Sequence, residues 1–152
     1  MSISDEHWMQ IALNEASKAF DAGEIPVGAI VVKDNKILSK AHNQSLKLND
    51  PTAHAEILAL RMASKKTNNY RLDKAILYVT LEPCIMCLGA LYNARIYKII
   101  YGAKNTRLNK NDSNKHIIIS HHINAKGGIL ENECSEILKK FFRDKRKFEA
   151  NK

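Results

Sequence analysis

Four residues in two short motifs have the types and the spacing to bind a metal ion and to move protons beside it. His54 and Glu56 are two positions apart, and Cys84 and Cys87, which follow Pro83, are three apart. One imidazole and two thiolates suit zinc, and a catalytic tetrahedral site keeps its fourth position open for water. Glu56 is then expected to carry protons to and from that water without binding the metal.

The Cys84–Cys87 pair by itself is compatible with other chemistry. A C-x-x-C pair also occurs in thioredoxin-like redox proteins and as one half of a zinc ribbon. The sequence has no second C-x-x-C to complete a ribbon, and a redox pair gives no reason for His54 and Glu56. All four residues together therefore indicate a catalytic zinc site with one ion per chain.

Other residues that could do chemistry are assigned structural or surface roles. Cys134 is interpreted as a small buried residue, and Trp8 and the Phe141–Phe142 pair as core side chains and not as base-stacking platforms. Three further histidines have no clear ligand spacing and are expected on the surface or in a strand: His116, His121 and His122.

The composition is that of a globular protein. A length of 152 residues fits one domain over 1–152, with 45% hydrophobic and 26% charged residues. No apolar run approaches the roughly 20 residues of a membrane span, and residues 1–6 lack the basic and apolar regions of a secretory signal. Three cysteines, an odd number, favour metal binding in a reducing compartment over a disulfide framework. We therefore expect a cytoplasmic location and no contact with a membrane.

The net charge of +8 is concentrated at the C-terminal end. Residues 139–152 carry seven Lys or Arg side chains against Asp144 and Glu149. A basic end on an enzyme suggests a polyanionic partner, although a solvated helix face is the alternative.

The elements that must position these residues follow from hydrophobic periodicity and from helix and turn signals. In chain order, the predicted elements are a helix that begins after Ser4 and stops at Gly23, a hairpin of strands over 27–32 and 37–41, a helix from Asp50-Pro51-Thr52 to about Ser64, a strand over 75–81, a helix from Pro83 to about Asn93, a strand over 98–101 ended by Gly102, a strand between Ile117 and Lys126, and a last helix over about 132–150. This order indicates a three-layer α/β/α domain around a central sheet.

Both zinc motifs fall at predicted helix starts. His54 and Glu56 are expected in the first turn of one helix, and Cys84 and Cys87 in the first turn of the next. Such helix starts lie at the carboxyl edge of parallel strands, where sites commonly form. The positive end of a helix also favours the thiolates that zinc needs.

Over almost its whole length the sequence resembles the bacterial tRNA-specific adenosine deaminases of the cytidine-deaminase superfamily, whose zinc motif is H-x-E…P-C-x-x-C. The stretches that carry the resemblance are Pro26–Ala29, Asp50–Ile57, Asn69–Leu72, Leu77–Cys84, Ile85–Cys87, Tyr101–Ala103, Gly128–Leu130 and Phe141–Arg143. Cytosine, guanine and deoxycytidylate deaminases share the zinc motif. The Asn-Tyr-Arg-Leu stretch and the basic Phe-Phe-Arg tail point more narrowly to the tRNA enzymes.

The resemblance implies a cytidine-deaminase-like fold with a mixed five-stranded sheet, and conversion of adenosine to inosine at the wobble position of a tRNA anticodon by a homodimer. It implies that Asn43 hydrogen-bonds a flipped base and that the backbone of Ala55 assists at the base edge. It also implies the zinc ligands His54, Cys84 and Cys87 and the proton shuttle Glu56.

The basic last helix is expected to hold the backbone of the tRNA anticodon stem-loop. Its apolar stripe should dock on the sheet and leave four cations near the mouth of the site. The stripe residues expected to dock are Ile137, Leu138, Phe141 and Phe142, with Phe148 continuing the apolar period, and the cations are Arg143, Lys145, Arg146 and Lys147. The segment Lys104–Ser113 departs from the family pattern, since Asn105 stands where an acidic residue is usual and no glycine follows in the segment.

Two other functions remain open from the sequence. A free-base deaminase for guanine or cytosine would use the same metal site and would not need the basic tail. A non-catalytic, zinc-stabilised RNA-binding subunit would be expected to lack the proton shuttle, whereas Glu56 is present.

Overall fold

The protein is described by a computed structural model that covers residues 2–106 and 123–151. In chain order these residues form α1 (Asp5–Asp21), β1 (Gly28–Lys33), β2 (Lys36–His42), α2 (Ser45–Leu48), α3 (Ala55–Thr67), β3 (Ile76–Leu81), α4 (Ile85–Asn93), β4 (Lys98–Ala103), β5 (Asn124–Lys126) and α5 (Glu131–Ala150). The predicted elements are confirmed, and α2 is an additional short helix that the periodicity did not indicate. His116, His121, His122 and the segment from Arg107 to Ser113 lie outside the described residues.

The five strands form one mixed sheet in the order β2-β1-β3-β4-β5. Strand β1 is antiparallel to β2 and to β3, whereas β3, β4 and β5 run parallel. It follows that β2, β3 and β4 all point the same way, so their carboxyl ends share one edge of the sheet. The chain leaves that edge at Asn43, at Glu82 and at Lys104, which brings three distant segments together.

Helices cover both faces of the sheet, as predicted. Helices α3 and α4 pack on one face against side chains such as Val31, Leu77 and Ile99. Helices α1 and α5 pack on the other face against the alternating residues, which include Ile30 and Ile100. This alternation is the two-residue period of a strand buried on both sides.

Local signals explain the first elements. The Ser4 hydroxyl accepts a hydrogen bond from the His7 N–H at 3.2 Å and caps α1, and Gly23, with φ +76°, follows its end. Asp34 and Asn35 both have positive φ in the β1–β2 turn, the backbone that a two-residue hairpin loop with the right twist requires.

Three predicted boundaries are wrong, each for a local reason. Asp50-Pro51-Thr52 forms a turn in which the Asp50 carboxylate accepts the Thr52 N–H at 2.8 Å, so α3 begins only at Ala55. Pro83 precedes α4 instead of lying in its first turn. Gly102 lies inside β4, where a Cβ atom would collide with the Cys134 side chain.

Helix α5 packs against the rest of the domain only as far as Phe142. Cys134 is fully buried, as predicted, and Ile137, Leu138, Phe141 and Phe142 are half-buried. From Arg143 to Asn151 every residue is exposed, including Phe148, which is 67% exposed although it continues the helical period of the apolar stripe. Among the described residues, no helix is long and apolar enough to cross a membrane.

Candidate metal centre and substrate cleft

The three predicted zinc ligands converge on one point. The His54 Nδ1 atom lies 3.7 Å from Cys84 Sγ and 3.5 Å from Cys87 Sγ, and the three donor atoms are all within 4.8 Å of one another. In a tetrahedral site with Zn–S of about 2.3 Å and Zn–N of about 2.0–2.1 Å, the N···S edge is about 3.6 Å. The donor set and its spacing therefore fit a metal ion of this kind.

Two of these ligands occupy the position just before a helix. His54 and Cys84 are the N-cap residues of α3 and α4, so they precede the first turns in which they were predicted. Their backbones are extended, and neither side chain makes a capping hydrogen bond. Ser or Asp at such a position normally folds back onto the free helix amides. Because His54 and Cys84 do not, their donor atoms can meet between the helices, and Cys87 reaches the same point from the first turn of α4.

A hydrogen bond links the two thiols. A hydrogen bond from Cys87, with further help from His54, lowers the pKa of Cys84 to about 4. The pKa of Cys87 is raised, first because it donates to Cys84 and then because it is buried. The hydrogen bond with Cys84 raises the pKa of His54. Cys84 is thus a ready thiolate ligand, and ligation by Cys87 requires release of its proton.

Glu56 lies in the first turn of α3, on the wall of the cleft beside the ligands. It is 4% exposed, and this burial raises the pKa of its carboxyl group. A raised pKa makes a carboxylate a better proton acceptor than an ordinary one. The position and burial of Glu56 therefore suit a proton carrier.

Asn43 leaves the carboxyl end of β2 and is held in a fixed orientation. Its Oδ1 atom accepts a hydrogen bond from the Ala55 N–H at 2.7 Å, and its own N–H donates to the Val27 carbonyl at 3.1 Å. Because Oδ1 is used by Ala55, the group that Asn43 can offer to the cleft is its Nδ2 donor. The N–H of Ala55 is engaged in the same bond.

A cleft of about 550 Å³ opens above the ligands. Its floor includes His54, Glu56 and Cys84, and one wall comes from α5. The wall residues recur at the spacing of one helical face: Ser135, Leu138, Lys139, Phe142 and Arg146. We refer to these five residues as the α5 wall. The last helix is therefore part of the cleft itself.

Only one of the four cations that were predicted to contact RNA lines the cleft. Arg146 belongs to the α5 wall, whereas Arg143, Lys145 and Lys147 are exposed on the same helix and are not among the residues that line the cleft. Lys139, two helical turns before Arg146, lines the cleft and was not predicted to do so, although the seven-residue spacing was available as a signal.

The sequence did not indicate several other cleft residues. Lys104 lines the cleft because β4 ends at the same sheet edge as β3. Phe142, interpreted as a core residue, is half-buried and lines the cleft. Glu82 lines it too, and its carboxylate accepts the Asn105 N–H at 3.1 Å, which ties the segment after β4 to the approach to Cys84.

The chain is similar to known deaminases. A family model described as MafB19-like deaminase matches residues 3–146. The tRNA-specific adenosine deaminase of Buchnera aphidicola subsp. Schizaphis graminum is 46% identical over 145 residues, which are 93% of this chain and 96% of that protein.

Two solved structures are also similar. One comes from studies of A-to-I editing by tRNA:A34 deaminases, with a TM-score of 0.81 and 40% identity over 87% of this chain and 99% of that one. A guanine deaminase from Bacillus subtilis has a TM-score of 0.66 and 43% identity over 68% of this chain and 67% of that one. Identity at this level over nearly the full length of both the Buchnera protein and this chain shows that the chain belongs to the family of tRNA-specific adenosine deaminases.

Proposed function

We propose that this protein is a zinc-dependent hydrolase that converts adenosine to inosine at the wobble position of a tRNA anticodon, with residues 1–152 as one deaminase domain. The convergence of His54, Cys84 and Cys87 beside Glu56, in a chain of this family, is the observation that carries the proposal. Nitrogen and thiolate donors at tetrahedral spacing favour zinc, one ion per chain.

Glu56 performs the proton transfers of the reaction. Zinc, when bound, lowers the pKa of a coordinated water to about 7. The Glu56 carboxylate accepts a proton from the attacking water and delivers it to the ring nitrogen next to C6 while the water oxygen bonds to C6. It then takes the remaining proton of that water from the new C6 hydroxyl and passes it to the departing amino group. Adenosine and water thereby become inosine and ammonia.

Asn43 orients the base. Since its Oδ1 accepts from Ala55, the Nδ2 group is directed by that bond and can donate to an acceptor nitrogen of adenine. The Ala55 backbone, on the other side of this bond, keeps Asn43 at the base edge. A base read in this way must leave its stack, which costs little in an anticodon loop.

The cleft also suits the RNA on either side of the reacting base. Lys104, Lys139 and Arg146 line it, and Phe142 lies between the last two on the α5 wall. Cations bind phosphates, and an aromatic ring can stack on an unpaired base. Arg146 therefore contacts the backbone in the cleft, and three outer cations continue the contact along the stem-loop: Arg143, Lys145 and Lys147.

A homodimer and a cytoplasmic location complete the proposal. Exposed apolar side chains lie on the α3–α4 side of the sheet, among them Met62, Ile85 and Met86, and such side chains often mark a protein interface. Sedimentation of the purified protein would measure the dimer. The cytoplasm is where the substrate tRNA is found, and it suits a protein with three free thiols.

A guanine deaminase is the second candidate, because a guanine deaminase of known structure is 43% identical to part of the chain. That similarity covers 68% of this chain, against 93% for the tRNA-specific relative. A free base also has no phosphate for Lys104, Lys139 and Arg146 to bind.

Incubation with tRNA or with guanine separates the two activities. Nuclease digestion and mass spectrometry should find inosine in the anticodon fragment, and none with a Glu56→Ala control. Conversion of guanine to xanthine without inosine in tRNA would favour the free-base enzyme. A zinc-loaded protein that binds tRNA and converts neither substrate would favour the non-catalytic subunit.

A further inference from the structure

Glu24 is a buried acidic residue that has no part in the proposed chemistry. It is 4% exposed and lies between α1 and β1, just after Gly23. Its N–H donates to the Ala19 carbonyl at 2.9 Å, which fixes its backbone to the end of α1. An ionised carboxylate in such a place requires hydrogen-bond partners.

Both carboxylate oxygens of Glu24 find partners on α2. Oε1 accepts the Leu46 N–H at 3.0 Å, and Oε2 accepts the Lys47 N–H at 3.0 Å. These are free amides of the first turn of a four-residue helix whose own N-cap, Gln44, makes no side-chain capping bond. Glu24 thus caps α2 from 22 positions earlier in the chain.

Helix α2 is part of the segment that joins two residues of the site, Asn43 and His54. Gln44 donates from its N–H to the Ala53 carbonyl at 3.0 Å, so the two ends of this segment are also linked to each other. On the Glu24 side, Val27 accepts the Asn43 N–H and lines the cleft. The contact between Glu24 and α2 therefore ties the Asn43–His54 segment to α1.

We propose that Glu24 is a positioning residue that holds Asn43 in its base-binding orientation through α2. A carboxylate is needed, since each of its two oxygens accepts one amide, whereas Gln offers a single acceptor and turns an NH₂ group toward the second N–H. This inference rests on the proposed function, in which Asn43 donates to the base.

Glu24→Gln is the first test, with kcat/KM measured on an anticodon stem-loop. We expect a loss of about tenfold, the size of one well-placed hydrogen bond, with unchanged zinc content. Hydrogen exchange at the Leu46 and Lys47 amides should become faster. Glu24→Asp keeps both acceptor oxygens on a shorter side chain and should recover part of the activity. Asp21→Asn is the matched control, because it removes the same charge from an exposed position nearby.

A double-mutant cycle with Asn43→Ala distinguishes positioning from general stabilisation. If Glu24 acts through Asn43, then Glu24→Gln should change kcat/KM less than about twofold in the Asn43→Ala background, because coupled sites are not additive. Two losses that multiply, or faster amide exchange with unchanged kcat/KM, would overturn the proposal. If Glu24→Gln does not fold, the same cycle with Glu24→Asp decides. Absence of inosine with the wild-type protein would instead refute the proposed function, and the amide exchange would still test the contact.

Discussion

The floor and the α5 wall of the cleft are built in different ways. Glu56 on the floor and the neighbouring ligand Cys87 are buried, as are small residues such as Ala55 and Ala59. The α5 wall belongs to a helix in which every residue from Arg143 to Ala150 is exposed. Bond-making chemistry requires donor atoms held within tenths of an ångström, whereas attraction between cations and phosphates falls off slowly with distance. Single substitutions at the floor should therefore abolish activity or leave it intact, whereas substitutions on the α5 wall should change tRNA affinity in small steps.

The largest effect is expected for Cys87→Ser, which removes a candidate metal ligand beneath the floor of the cleft. Loss of a ligand should lower zinc affinity by more than the about 10–100-fold typical of residues that only orient ligands, and activity should disappear with the metal. The midpoint of thermal unfolding should also fall, because metal binding and folding are coupled. Elemental analysis and calorimetry would measure both. Cys134→Ser is the control, since Cys134 is buried against Gly102 away from the ligands, and full zinc in the Cys87 variant would contradict the ligand assignment.

Glu56→Ala should keep its zinc and lose nearly all turnover. A general acid–base group contributes about 10²–10⁴-fold, and a residue used for two proton transfers belongs at or beyond the upper end. Single-turnover kinetics on a stem-loop would measure the loss of turnover, and elemental analysis of the same sample would measure the zinc. Glu82→Gln is the control, because it alters another acidic residue of the cleft, and it should lower the rate less than about tenfold. A Glu56 variant with more than about a tenth of the wild-type rate would place the proton transfer elsewhere.

Asn43 lines the cleft, and its bond to Ala55 can be separated from its proposed bond to the base. Asn43→Asp keeps an oxygen for the Ala55 N–H and loses the Nδ2 donor, whereas Asn43→Ala loses both. A lost hydrogen bond to a buried group costs about 1–3 kcal/mol, so kcat/KM should fall about 5–150-fold in each variant. Zinc content should stay the same. Equal activity of the Asp variant and the wild type would show that the base does not use Nδ2.

The smallest effects are expected on the α5 wall. The Lys139→Gln, Arg146→Gln double variant should weaken tRNA binding and lower its salt slope by about 0.7–0.9 for each phosphate that the variant no longer binds. The Arg143→Gln, Lys147→Gln variant removes the same two residue types from the outer part of α5 and should change the slope less. Affinities across a salt series would compare them. If both variants lower the slope equally, the RNA contacts the cations of α5 without preference for those in the cleft. If both slopes equal that of the wild type, these cations do not contact the RNA.

Helix periodicity and motif spacing were sufficient to predict most of the fold. The hairpin turn at Asp34 and Asn35, the buried β3 strand and the presence of a helix at each ligand motif all depend on neighbouring residues in the chain. The wrong boundaries have local causes. The Asp50 carboxylate accepts the Thr52 N–H in a turn, so α3 begins later than predicted. Gly102 allows close packing against Cys134 and does not end β4. Phe148 satisfies the helical period of the apolar stripe, yet it lies in the exposed part of α5 after Phe142.

The sequence by itself determined the candidate metal ligands and the candidate proton carrier, because His54, Glu56, Cys84 and Cys87 belong to two short motifs whose spacing is set by helix starts. Only the tertiary structure decided what surrounds them. Lys104 and Lys139 line the cleft, and Glu24 caps α2, because the sheet edge and the α5 docking bring separate segments into contact. Such contacts depend on how elements pack, and packing brings together residues whose separation along the chain follows no fixed spacing.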